Sequence, residues 1–159
     1  MTPQERVASA LKAAGLASRI VEFETSTRTA EDAAVAVGCE LGQIVKTLFF
    51  LADGRPTLAL VAGDRQADTS ALAELLGVPR KKLKMGSPAE VLAITGYAVG
   101  GVSPFGSATA SDVVIDESFK RFETVWAAAG VGNAVFGVPV LQLAEKVGAQ
   151  WAAITRARP

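Results

Sequence analysis

The sequence predicts an α/β domain built on a mixed sheet, and three observations carry that reading. Helix-start signatures and apolar strand runs are interleaved along the chain. Two of the strand runs are joined directly by a turn, so the order is not a strict strand–helix–strand alternation. The chain has 159 residues, half of them apolar and 20% charged, which suits one domain spanning residues 1–159 with a core that needs neither disulfide nor metal.

The first element is a helix. Thr2 is placed as its N-cap, Pro3 at its first position and Glu5 as the return partner of a capping box. Val7, Leu11 and Ala14 share a face, Ala10 lies beside them, and Gly15 is the stop. Ile20-Val21-Glu22-Phe23 reads as a short strand. Thr29-Ala30-Glu31-Asp32 opens a second, Ala-rich helix that ends at Gly38. Residues 47–52 and 57–61 are the strands of a hairpin around Asp53-Gly54, and Gly63-Asp64 ends the second. Both are apolar on nearly every residue, so both faces of each are expected to be covered. Residues 68–76 form a helix stopped by Gly77, and Ser87-Pro88-Ala89-Glu90 is a further capping box opening a helix through Ile94. Gly96, Gly100, Gly101, Pro104 and Gly106 then crowd into one loop. Val113-Val114-Ile115 is a strand closed by Asp116, and residues 123–128 and 134–138 are two strands around Gly130-Val131-Gly132-Asn133. Pro139 opens a last helix over residues 140–147, and residues 151–154 pack the end. No repeat, low-complexity tract or linker interrupts this series.

Composition excludes several chemistries. There is no histidine, so Ser-His-Asp and Cys-His catalysis lack their base, and a His-ligated zinc is excluded. Cys39 is the sole cysteine, which forbids a disulfide within the chain and fits a reducing, cytoplasmic setting. Sixteen basic residues balance sixteen acidic ones, so a long nucleic acid gripped by net charge is not expected. No apolar run reaches the length of a membrane span and no targeting segment is visible at the N-terminus, so no membrane partner is expected. The chemistry left is that of lysine, arginine, carboxylates, hydroxyls, backbone amides and bound water.

Two features stand out as candidates. Lys46 sits at the mouth of an apolar strand, either as a solvated strand-end lysine or as an ammonium aimed into a cleft, where it holds a phosphate or offsets charge on a carbonyl oxygen. The segment Gly100-Gly101-Val102-Ser103-Pro104-Phe105-Gly106 is either a plain turn or a ligand loop whose glycines let backbone N–H groups approach a substrate. It is neither a P-loop nor a dinucleotide fingerprint. Arg80-Lys81-Lys82-Leu83-Lys84 is a solvated basic face or a phosphate-contacting patch. Asp64, Asp112 and Asp116 read as structural caps, Cys39 as partly buried filler, and Trp126 and Trp151 as core.

In order along the chain, Thr29-Ala30-Glu31-Asp32-Ala33-Ala34, Gly42-Gln43-Ile44-Val45-Lys46-Thr47-Leu48, Ala62-Gly63-Asp64, Thr95-Gly96-Tyr97, the Gly100–Gly106 segment, Ile115-Asp116 and Ala129-Gly130 together resemble the YbaK/ProX family of free-standing aminoacyl-tRNA deacylases. These are relatives of the editing domain inserted in bacterial prolyl-tRNA synthetases. The resemblance covers nearly the whole chain and implies a single compact domain with a mixed, barrel-like sheet flanked by helices. It implies trans-acting hydrolysis of the ester on a mischarged tRNA, with alanine or cysteine on proline tRNA the expected substrates, and no metal or other cofactor. The family's lysine falls on Lys46, and its Gly-x-x-x-Pro loop on Gly100 to Pro104.

Lys46 and Gly101 are therefore the expected catalytic residues, with Gly100, Val102, Ser103, Pro104, Phe105 and Asn133 expected to bind substrate. The Lys46 ammonium and the N–H groups of Gly100 and Gly101 are expected to stabilise the oxyanion while water attacks. The expected partner is the acceptor end of an aminoacyl-tRNA, with prolyl-tRNA synthetase a candidate second partner. The alternative is a binding module of the same fold that holds aminoacyl-tRNA or a synthetase without turnover.

Overall fold

The two strands joined at the exposed Asp53-Gly54 turn lie in the middle of the sheet in the computed structural model, which describes residues 1–17, 19–24 and 29–159. Asp53 and Gly54 both take positive φ, 49° and 84°, the twist-matched conformation of a two-residue hairpin turn. The strands they join are longer than the apolar runs alone indicate: β2 is Ile44–Ala52 and β3 is Arg55–Ala62. Around them lie α1 (Pro3–Ala13), β1 (Ile20–Glu22), α2 (Ala30–Val37), β4 (Arg65–Ala67), α3 (Thr69–Leu76), β5 (Leu83–Met85) and α4 (Pro88–Thr95). Then follow β6 (Asp112–Asp116), β7 (Thr124–Ala128), β8 (Ala134–Pro139), α5 (Val140–Lys146), β9 (Gln150–Ala152) and β10 (Thr155–Ala157).

The helix boundaries follow the local chemistry. Thr2 and Ser87 cap α1 and α4, each accepting from the backbone N–H three residues on, and Glu5 and Glu90 return the bond. Thr29 accepts from Asp32 N, and Asp68 from Ala71 N. Gly38, Gly77 and Gly96 end α2, α3 and α4 in the left-handed conformation.

The main sheet has the order β1-β8-β7-β2-β3-β6-β9, with β5 also paired to β2. It is mixed: β2 runs antiparallel to β3 and β5 but parallel to β7, and β6 is parallel to both β3 and β9. One face encloses a single core that draws Val45 and Phe49 from β2, Leu58 and Leu60 from β3, Ile115 from β6, Val125 from β7 and Phe136 from β8. Val7 and Leu11 of α1 and Leu143 of α5 complete it, so the mixed sheet is flanked by helices. On the other face α3 covers Phe50, Ala59 and Val61 with Leu72 and Ala73, while α2 sets Ala33 and Ala34 on Ile44. Asp116 is a latch, its buried carboxylate accepting from Ser118 N at 3.0 Å and Ile154 N at 2.9 Å.

Three expectations need correction. The chain end is two strands rather than a packed tail: β9 joins the main sheet, and β10 pairs with β4 in a separate ribbon. Three-residue strands carry too little alternation to be recognised from periodicity. β3 is covered on both faces, but Lys46, Thr47 and Leu48 of β2 are only half-buried, because the sheet is open there. The core reading of Trp126 is incomplete: it packs only half-buried against Ala33, Ala34 and Ile44 and also stands at that opening.

Candidate active site

β2 has a partner on one side along its length and a broken edge on the other. Its parallel ladder with β7 covers only Ile44↔Trp126 and Val45↔Ala127. Its antiparallel ladder with β5 begins at Phe50↔Met85, just beyond a bond from Gly86 N to Phe49 O at 3.1 Å. Between them Lys46, Thr47 and Leu48 have no partner strand on that edge. Backbone polar groups alternate sides along a strand. Gly63 N donates to Ile44 O, so the even-numbered residues face β3 and the odd-numbered ones face outwards. Thr47 therefore turns its N–H and C=O into the gap.

A cavity of about 430 Å³ occupies this gap. Ala30, Ala33 and Trp126 wall it on the α2 side, and Val91, Val102 and Val135 on the core side. Lys46, Thr47 and Gly100 bring polar chemistry to its lining, together with Thr29, whose hydroxyl is engaged as the N-cap of α2. A second hollow of about 500 Å³ lies against it and shares Ala30, Lys46, Leu48 and Met85.

Lys46 thus stands between the two spaces. Its Nζ donates to the carbonyl oxygen of Arg65 at 2.8 Å. That carbonyl is fixed twice over. The Arg65 guanidinium bonds Thr155 Oγ1 at 2.6 Å across the β4–β10 ribbon, and the adjoining Asp64 is held by a two-pronged pair with Arg121 at 2.8 and 3.0 Å. Burial lowers the Lys46 pKa, the nearby Arg158 charge lowers it further, and Glu31 and Asp64 partly restore it. The unfolded chain keeps this proton to higher pH than the folded one. Its contribution is therefore unfavourable at neutral pH and is relieved as pH rises through the folded value towards the ordinary lysine range.

The glycine loop is held from within. Tyr97 is fully buried and its hydroxyl donates to Phe105 O at 2.6 Å. Ser103 Oγ, also buried, accepts from Phe105 N, and the Phe105 ring packs edge-on against Phe136. Gly101 N donates to Ala98 O at 2.9 Å, closing a turn in which Gly100 has φ 95°. Asn133 exchanges bonds with Phe23, Nδ2 to O at 2.9 Å and O from N at 2.8 Å, pinning the end of β1 to the β7–β8 turn. Of the expected site residues, Lys46, Gly100 and Val102 meet in the cavity lining. Gly101, Ser103, Pro104, Phe105 and Asn133 lie outside both linings. Because the Gly101 N–H is taken by Ala98, the loop donor open to a ligand is that of Gly100, which has no partner among the described residues.

Comparison with known proteins identifies the family and the fold. Residues 24–146 match the model of the aminoacyl-tRNA editing domain. The chain belongs to that family. Over 127 residues it is 40% identical to the uncharacterised protein YwhH of Bacillus subtilis, with 79% of each chain covered. It is 36% identical over 105 residues to the proline–tRNA ligase of Nitratidesulfovibrio vulgaris, covering 65% of this chain but only 18% of the ligase. A crystal structure described as a candidate trans-editing enzyme for prolyl-tRNA synthetase superposes with a TM-score of 0.92 at 38% identity, covering 99% of both chains. Another, of the hypothetical protein APE2540, superposes at 0.87 with 30% identity, covering 95% of this chain and 99% of that one.

Three residues of this editing domain's opening were not singled out as site residues from the sequence alone: Thr47, Trp126 and Arg65. The Thr47 signal was adjacency to Lys46 on a strand, but which edge stays unpaired cannot be read locally. Trp126 was hidden among Ala and Val neighbours, and Arg65 acts through its carbonyl, which any residue type would supply. Among the described residues no group of His, Cys, Asp and Glu is placed to hold a metal ion, and no helix is long and apolar enough to cross a membrane. Burial pushes the Cys39 thiol pKa up, away from nucleophilic use.

Proposed function

We propose that this editing domain is a trans-acting aminoacyl-tRNA deacylase that hydrolyses the ester of a mischarged tRNA, with alanine or cysteine on proline tRNA the favoured substrates. The observation that carries the reading is that Lys46 and Gly100 both line one apolar cavity at the open edge of β2, where Lys46 also borders the neighbouring hollow through its bond to Arg65 O. An aminoacyl ester is already activated, so bound water suffices as nucleophile. Its oxygen bonds the acyl carbon, the carbon–ribose oxygen bond breaks, and the ribose oxygen leaves with a proton. Charge develops on the carbonyl oxygen, where each well-placed donor contributes about 3–4 kcal/mol. In this reading the apolar walls supply the second sieve, ranking acyl groups by the fit of their side chains.

The test is deacylation of proline tRNA charged separately with alanine, cysteine, serine or proline. Turnover on alanine or cysteine with proline spared is expected, and it is expected to survive chelation once magnesium is restored for tRNA folding. No turnover on any of the four supports the binding module instead.

A pH profile adds a further prediction. After subtraction of uncatalysed ester hydrolysis, kcat/KM is expected to fall on a basic limb below the ordinary lysine range, because the depressed Lys46 loses its charge early. Lys46→Arg keeps its charge throughout, so any activity it retains is expected to lack that limb. An unchanged limb in Lys46→Arg assigns the titration to another group.

A further inference from the structure

We propose that the open edge of β2 at Thr47 is a subsite for the α-amino-acyl unit, taking the amine and the adjoining carbonyl as a strand takes one residue of its neighbour; the proposal rests on the deacylase reading above. In an extended chain the N–H and C=O of one residue point to the same side, and the facing residue offers the complementary pair. Thr47 has that pair turned into the cavity, in the gap between the β7 and β5 ladders. An α-amino ester carries the matching pair on adjacent carbons: an amine that donates to Thr47 O and a carbonyl that accepts from Thr47 N. This is single-residue strand addition, with main-chain bonds reading the shared part of the substrate and the apolar walls reading its side chain.

A second observation points to the same place. Thr47 Oγ1 is buried and has no hydrogen-bond partner. The other such atoms among the described residues belong to Arg6, Ser107, Ser111 and Ser118, none of which lines either cavity. A buried hydroxyl without a partner is destabilising, and a ligand amine at this edge would supply one. The cavity lining contains no Asp or Glu, so an amine there has only neutral acceptors to meet, and Thr47 provides two. An α-amino group titrates near neutral pH and remains a donor in both its forms.

The experiment compares one tRNA carrying alanine with the same tRNA carrying a propionyl ester, which lacks only the amine. Each kcat/KM is divided by the uncatalysed hydrolysis rate of that ester, since the ammonium itself activates the bond. The wild type is expected to favour the alanyl ester by about 100-fold after this correction, from two donor–acceptor contacts at roughly tenfold each. Thr47→Val keeps the side-chain shape and removes the hydroxyl. It is expected to reduce that preference about tenfold while leaving Tm equal or higher. A wild type without preference, a preference unchanged in Thr47→Val, or a Tm that falls in Thr47→Val each overturns the subsite. Calorimetric binding of 3′-alanylamido- and 3′-propionylamido-3′-deoxyadenosine, which are not hydrolysed, separates this from the deacylase reading. Preferential binding of the alanyl compound that is reduced about tenfold in Thr47→Val, with no ester turnover, sustains the subsite and removes the enzyme. Turnover of both esters at equal corrected rates does the reverse.

Discussion

Lys46→Ala is expected to lower kcat for deacylation by tenfold at least, and by about 100- to 1000-fold if the ammonium sits on the oxyanion, with the fold intact. The side chain is half-buried, and its one bond, to Arg65 O, leaves two ammonium protons free for a ligand. Desolvation is the largest influence on its pKa and disfavours the charged form, so the protein holds a cation where that cation opposes folding. Removing it is therefore expected to leave thermal stability equal or slightly higher. Activity and stability should move in different directions, which a general loss of structure cannot produce. An effect on kcat with KM little changed assigns the ammonium to the transition state, whereas a rise in KM alone assigns it to substrate binding. A folded Lys46→Ala with wild-type turnover removes Lys46 from the mechanism.

Gly101→Ala is expected to have the largest effect on stability and to lower deacylation of every accepted substrate. A Cβ at Gly101 would stand 2.8 Å from both Gly130 O and Val131 Cα and 2.9 Å from Gly130 C. All three are backbone, so no rotamer change relieves the contact. Nor can the β7–β8 turn retreat freely, because a Cβ position at Gly130 is itself only 2.7 Å from Pro3 O at the start of α1. Overpacking of this kind costs about 1–3 kcal/mol, a fall in Tm of roughly 2–12 °C for a chain of this size. The relieved structure shifts the 98–101 turn and with it the Gly100 N–H. Gly100→Ala is the contrast: its Cβ meets nothing within 4 Å, and its φ of 95° alone supplies the strain. If Gly101→Ala keeps its stability and rate but changes the ranking of alanine against cysteine, the loop is a side-chain selector and the Gly100 donor role fails.

What the sequence determined by itself is local in chain distance. The caps at Thr2, Thr29, Asp68 and Ser87, the left-handed stops at Gly38, Gly77 and Gly96, and the turn at Asp53-Gly54 each rest on residues within about four positions of one another. Their chemistry is complete before any tertiary contact forms, so each lies where the residue types require it. The family likeness carried by the Lys46 and Gly100 segments was legible for the same reason, as short runs of fixed order. What made those segments a site was decided elsewhere. The gap on β2 exists because Val45 finds β7 about eighty residues later while Phe50 finds β5. Lys46 is aimed by a carbonyl at Arg65 whose ribbon closes with the chain end at Thr155. Gly101 is required by a turn at Gly130, not by its own loop. Even the donor of that loop is Gly100 only because the chain folds back so that Ala98 takes the N–H of Gly101. Strand pairing and close backbone approach depend on which distant segments share an edge, and a hydrophobic pattern states that a face is buried without stating against what.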